Sequence, residues 1–309
     1  MEWVDVLIDR AIGLQPSRPL LALTTILLPR RYMARLYARQ GKNGLDWGRY
    51  RGGATLSFDV DMAEDVAALP WLLDTLAPYP FRASFACIGR WVEEAPEVHR
   101  RIVGEGHEVT NHTYSHPWSE AFDPRPFHAL SLEEQAGEVR RGHETIVRLM
   151  GVEPVGFRAP HLDRPPGLYR ILADLGYVYS SSIHARRVGV QPFHTAEGVW
   201  EFPISQCPRH PSSVFDTHHA FRSRSWLFRV RPEDEVRFFD SFRYLLALAE
   251  RLGAFVNVYF DPLDVRAFRD FRRFLDALEA ARDVLRVAPY GEMAAELSQR
   301  MGVRSDLGR

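Results

Sequence analysis

Lysine is almost missing from this chain: Lys42 is the single lysine among 39 basic residues, and the others are arginine. That bias points to a G+C-rich coding sequence more than to a function. Charge of one sign is also lacking, because 39 basic and 40 acidic residues leave a formal net charge of -1. A global basic field, the usual footprint of nucleic-acid binding, is thereby excluded. There are two cysteines, Cys87 and Cys207, and neither belongs to a C-x-x-C pair. They read as buried thiols rather than a disulfide framework or a thiolate metal cluster, and they fit a reducing compartment. The apolar stretch PLLALTTILLP (residues 19–29) is too short for a bilayer span, which takes roughly 20 residues. The opening MEWVDVLIDR carries acids where an export signal has its positive region. Internal repeats and low-complexity segments are absent. The expectation is a cytoplasmic protein.

What is present is a globular balance, 46% hydrophobic and 26% charged over 309 residues. Residues 1–50 read as an N-terminal helical extension and residues 51–309 as the catalytic domain. In the extension, Arg30, Arg31, Arg35 and Arg39 alternate with Tyr32, Met33, Leu36 and Tyr37 at helical spacing. Residues 19–40 therefore have two readings: a helix peripheral on the inner membrane face, or one packed on the body or on a second copy in a homo-oligomer. After Gly52-Gly53 the pattern becomes regular. Strand-like runs occur at ATLSFDV, FRASFACI, HEVTNH, PVGFRA, YVYSSSI, GVWEFPIS, AFVNVYF and VLRVAP. Helix-period stretches lie between them, at 63–77, 91–104, 132–150, 167–174, 233–252 and 265–281. Alternation of this kind predicts a parallel α/β architecture, and about eight strands suit a barrel. Residues 205–232 read as an irregular insertion, long enough to be functional.

Each polar cluster follows a strand, which is where barrels place their chemistry. SFDVD ends in Asp59 and Asp61, two carboxylates that repel unless a cation or a shared proton offsets them. One of them could instead cap the next helix. NHTYSH brings His112 and His116, four apart, which can share one metal on a tight turn. A carboxylate with two histidines leaves coordination positions open, as a hydrolytic metal needs. In GFRAP, Arg158 can hold a carboxylate ionised and oriented.

SFDVD, NHTYSH and FRAP, in this order, resemble the first three motifs of the polysaccharide deacetylase (NodB-homology, carbohydrate esterase) family. The D-x-D form, together with GVWEFPIS, is similar to the branch of peptidoglycan deacetylases and allantoinase-like amide hydrolases. The resemblance covers roughly residues 53–300. It implies a deformed (β/α) barrel of about seven or eight strands. It also implies a divalent metal on Asp61, His112 and His116, with Zn2+ first and Co2+, Ni2+ or Mn2+ as alternatives. Asp59 becomes the general base and Arg158 its orienting partner. The expected activity is metal-dependent hydrolysis of a non-peptide amide, foremost N-deacetylation of an intracellular or lipid-linked amino sugar. A deformylase, a cyclic-ureide amidohydrolase and a degenerate glycan-binding member are the alternatives.

One departure stands out. Where the family's last motif ends a late strand with a histidine, taken as general acid, this chain has Asp261 before Pro262 in FVNVYFDPLD. Asp261 is a candidate acid if its pKa is raised, with Asp264 as a neighbour able to raise it. Otherwise His161, His184, His194, His218 or His219 supplies the proton. His99, His128 and His143 read as ordinary surface or helix residues.

Overall fold

The computed structural model describes residues 2–12, 17–40, 45–119 and 122–303. Parts of the N-terminal extension, Lys42 among them, lie outside the described residues. Three helices open the chain: α1 (Glu2–Ile12), α2 (Arg18–Leu27) and α3 (Pro29–Gln40). The body then alternates β1 (Gly52–Val60), α4 (Ala63–Leu76), β2 (Ser84–Cys87), α5 (Gly89–Glu94), α6 (Pro96–Gly104), β3 (Glu108–Asn111) and α7 (Leu132–Met150). It continues with β4 (Gly156–Phe157), α8 (Leu168–Asp174), β5 (Tyr179–Ser180), α9 (Ala185–Val188), β6 (Phe193–His194) and β7 (Trp200–Glu201). The last part holds α10 (Thr217–Arg222), α11 (Glu235–Leu252), β8 (Phe255–Phe260), α12 (Pro262–Arg266), α13 (Arg272–Ala281), β9 (Leu285–Val287) and α14 (Tyr290–Met301).

The strands form one curled sheet in the order β6-β7-β5-β4-β3-β2-β1-β8, with β9 on the start of β1. All pairings are parallel except β6 with β7. The gap between β7 and β8 is bridged by the insertion. The Ser205 amide donates to the Asn257 carbonyl at 3.0 Å, and Asp216 pairs with Tyr259. The result is the expected deformed barrel, with the two-residue β6 as an added strand. Helix 91–104 is split at Pro96, which has no N–H and pushes Ala95 out of helical geometry (φ -137°, ψ 61°). The 265–281 stretch is likewise two helices, α12 and α13, rather than one.

β1 is buried along its whole length, and its alternation divides the protein. Leu56, Phe58 and Val60 belong to the main apolar core, where Phe58 packs against Phe85, Phe260 and Phe271. Thr55, Ser57 and Asp59 take the other face, where Ser57 Oγ meets the Val258 carbonyl of β8 at 3.1 Å and Tyr290 Oη of α14 at 3.0 Å. Each fully buried ring in that core contributes roughly 1.5–3 kcal/mol, so the barrel can carry a polar interior.

In α3, Tyr32, Met33, Leu36 and Tyr37 are fully buried, and Tyr37 Oη reaches Ser205 Oγ at 3.4 Å. Its arginines are engaged as well. Arg31 pairs with Asp5 at 3.1 Å, and Arg35 and Arg39 pair with Asp9 at 2.8 and 3.2 Å.

Candidate active site

Asp59 lies in β1 beside the strand β2 partner Ala86, and Asp61 follows one residue after the strand ends. A third acid fixes this turn. Asp65, fully buried, accepts the amides of Asp61 (3.2 Å) and Met62 (3.0 Å) on one oxygen and that of Leu263 (3.0 Å) on the other. It therefore ties the loop after β1 to the loop after β8. Sequence reading passed over Asp65, because a first-turn acid is the commonest cap there is.

His112 and His116 come from the loop after β3. That loop is shaped by left-handed residues, Thr113 (φ 67°) and His116 (φ 52°), and the His116 amide donates to Thr113 Oγ1 at 3.0 Å. α7 presses on it at Gly142, where an added Cβ would stand 2.5 Å from Asn111 Oδ1 and 2.9 Å from the Thr113 carbonyl carbon. Only glycine allows so close an approach of helix to loop.

The geometry then asks for a cation. His112 Nδ1 lies 2.7 Å from the Arg158 carbonyl, which can only accept, so Nδ1 carries the proton. The Nε2 lone pair therefore faces Asp61 Oδ1 at 3.3 Å, and His116 Nε2 stands 3.6 Å from Asp61 Oδ2. Asp61 Oδ1 and both Nε2 atoms are buried without a hydrogen-bond partner, and the three ligand atoms lie within 4.8 Å of one another. Acceptors converging on one point fit a divalent metal, and imidazole and carboxylate are zinc-type donors. Burial lowers His116 to about 3, so it stays the neutral imidazole a metal requires. Burial alone would raise Asp61, but His116 and His112 hold it below the ordinary carboxylate range.

Arg158, 1% exposed, points into the barrel and pairs with Asp59 through Nη1. Its Nη2 donates to Tyr290 Oη (2.6 Å), Ser57 Oγ (2.9 Å) and Ser181 Oγ (3.3 Å), and its Nε to the Ser181 carbonyl (3.2 Å). Burial lifts the Asp59 carboxyl above its ordinary value and outweighs the arginine. Ser57 was within reach of sequence reasoning, since it shares a face of β1 with Asp59 at period two. Tyr290 carried no such pattern.

Asp261 sits at the end of β8, 5% exposed, its amide donating to Thr217 Oγ1 at 2.9 Å. Burial, then Asp65, Asp61, Asp216 and Asp264, push its carboxyl well above the usual range. Asp264 is thus one of several raising neighbours, and it is itself paired with Arg222. Of the alternative histidines, His161 packs at a tilt against His116 at 4.9 Å, and burial, then Arg222, lower His218, with Asp264, His161 and Asp61 also acting on it. The backbone of His184 bridges to Ile204, while the His194 ring packs on Trp200 and the His219 ring contacts His210.

Residues 51–180 match the family model described as polysaccharide deacetylase. A peptidoglycan-N-acetylglucosamine deacetylase of Bacillus cereus is 30% identical over 108 residues, 35% of this chain and 36% of that protein. A chitooligosaccharide deacetylase of a Bradyrhizobium species is 35% identical over 83 residues, 27% of this chain and 38% of that protein. The chain thus spans little more than a third of the length of these relatives. Among solved structures, a Mycobacterium smegmatis protein assigned as a polysaccharide deacetylase superposes with a TM-score of 0.70 at 20% identity, covering 85% of this chain and 96% of that one. The PuuE allantoinase superposes at 0.61 and 13% identity, covering 84% and 94%. At such identities these two show the fold alone.

Proposed function

We propose, from the match of residues 51–180 to the polysaccharide deacetylase family model, that the chain belongs to that family and is a metal-dependent hydrolase releasing the acyl group of an N-acylated amino sugar. The observation that carries the reading is the convergence of three orphaned donors, on Asp61, His112 and His116, beside the buried Asp59–Arg158 pair. A divalent cation held there supplies Lewis acidity to the acyl oxygen and to water. Asp59 accepts the proton of the attacking water, and Arg158 fixes the orientation of that carboxylate. Asp261 returns a proton to the leaving amine. Trp118, 53% exposed, meets His161 edge to face at 5.2 Å and offers a ring face for a sugar. Purified protein loaded with zinc is expected to release acetate from N-acetylated amino sugars in a panel that also contains formylated sugars and cyclic ureides. Formate or ureide product would move the assignment to those substrates, and no acyl release from any of them would refute it.

As the acid, Asp261 must be protonated. A carboxyl whose folded pKa is raised stays protonated at low pH and loses the proton as pH rises through the raised value. Activity should therefore fall on the alkaline side. Asp261→Asn is expected to slow the reaction by about 10²- to 10⁴-fold and to flatten that limb. A variant at the wild-type rate across about pH 6 to 9 would transfer the role to His161 or His218.

We also propose that the N-terminal helices meet a lipid surface, which suits a lipid-linked substrate. Support comes from apolar residues facing solvent, Trp3 (69% exposed), Val6 (51%), Leu23 (50%) and Leu27 (61%). Among the described residues, no helix is long and apolar enough to cross a membrane. Because Arg31, Arg35 and Arg39 are engaged with Asp5 and Asp9, apolar contact rather than charge drives the association, and salt should weaken it little. Sedimentation with anionic vesicles should drop in a Leu23→Asp, Leu27→Asp variant; equal sedimentation of both proteins would remove the reading.

A further inference from the structure

The insertion does not simply wander between β7 and α11. It folds Cys207 and His210 against His219 of α10, their ligand atoms within 4.8 Å of one another. His219 Nε2 lies 3.3 Å from His210 Nδ1. Glu233, the residue at which the segment re-enters the body, brings Oε1 to 3.3 Å from His210 Nδ1 and 3.7 Å from Cys207 Sγ. The Cys207 thiol and the His219 ring are 1% and 5% exposed, and the Glu233 side chain is 3% exposed. Glu233 Oε2 is buried without a hydrogen-bond partner and has an ion pair to Arg209 Nε at 3.6 Å. The sequence hid this cluster, since C-x-x-H followed by a third donor nine residues on is not a C-x-x-C pair.

The spacing matches a tetrahedral cation. Zinc binds nitrogen at about 2.0–2.1 Å and thiolate sulfur at about 2.3 Å, which puts neighbouring donor atoms about 3.3–3.6 Å apart. A hydrogen-bonded cluster accounts for the group less well. The one Nδ1 position of His210 meets both His219 and Glu233, and a single proton there serves only one of them.

We propose that Cys207, His210, His219 and Glu233 form a second, structural metal site for a zinc-type cation, separate from Asp61, His112 and His116. Four protein donors leave no position open for substrate, which makes the site a staple rather than a reaction centre. What it staples is α10. That helix carries Thr217, which accepts the Asp261 amide, and follows directly on its cap Asp216, which closes the barrel against Tyr259. The second metal thus holds the insertion in the place that seats Asp261.

The full-length protein, produced with Co2+ as the supplied metal, tests this by metal analysis and absorption spectroscopy. A thiolate ligand gives a near-ultraviolet sulfur-to-cobalt charge-transfer band, and the Asp61 site has no sulfur. Wild type should hold about two cations per chain and show the band. Cys207→Ala should lose one cation and the band. His112→Ala with His116→Ala should lose the other cation and keep the band, so failure at either site is read separately. A wild type without the band, and with the same metal content as Cys207→Ala, would overturn the proposal.

Discussion

Asp59→Asn should keep the metal and lose turnover, by about 10²- to 10⁴-fold, the usual worth of a general base. The amide is nearly the same size and still meets Arg158, so folding and the Asp61, His112 and His116 donors are left in place. It cannot accept the proton of water. The loss should appear in kcat rather than in KM, because Asp59 acts on water and not on the bound sugar. Steady-state rates with parallel metal analysis check this. A variant that loses metal together with activity would make Asp59 a ligand instead.

Arg158→Met should be the most destabilising single change in the barrel, by about 3–5 kcal/mol, because it leaves the Asp59 charge buried and unpaired. It also removes donors to Ser57, Ser181 and Tyr290. The sign of its pH dependence follows. Asp59 already has a raised folded value, and loss of the arginine raises it further. Folded protein then binds the proton more tightly than unfolded protein. The variant's deficit should therefore be smallest near and below the ordinary carboxylate value of about 4 and should grow as pH rises. Urea unfolding at several pH values measures it. Combining Asp59→Asn with Arg158→Met should cost much less than the sum of the two, as for any directly coupled pair. Additive losses would mean that Arg158 stabilises the barrel without holding Asp59.

The parts of this protein that were legible in sequence share one physical basis. β1 could be read because its face alternation is strict and because two carboxylates at a strand end need a reason. His112, His116 and Arg158 also sit where strands end, and topology gathered them. Short-range patterns say little about what comes from far along the chain. Tyr290 completes the Arg158 network from α14, and nothing around Pro289-Tyr290 marks it. The two-residue β6 is too short to show a period. The break at Pro96 was visible in principle, since a residue before proline leaves the helix. The arginines of α3 suggested a membrane surface because their partners, Asp5 and Asp9, lie 26 or more residues away. His219 was grouped with the candidate acids because sequence cannot tell which side of α10 meets the active centre.

Metal analysis of wild type against the His112→Ala, His116→Ala double variant tests the catalytic centre most directly. The variant should stay folded, hold about one divalent cation per chain fewer than wild type, and release no acyl group. Equal metal content in the two proteins would contradict a metal centre at Asp61, His112 and His116.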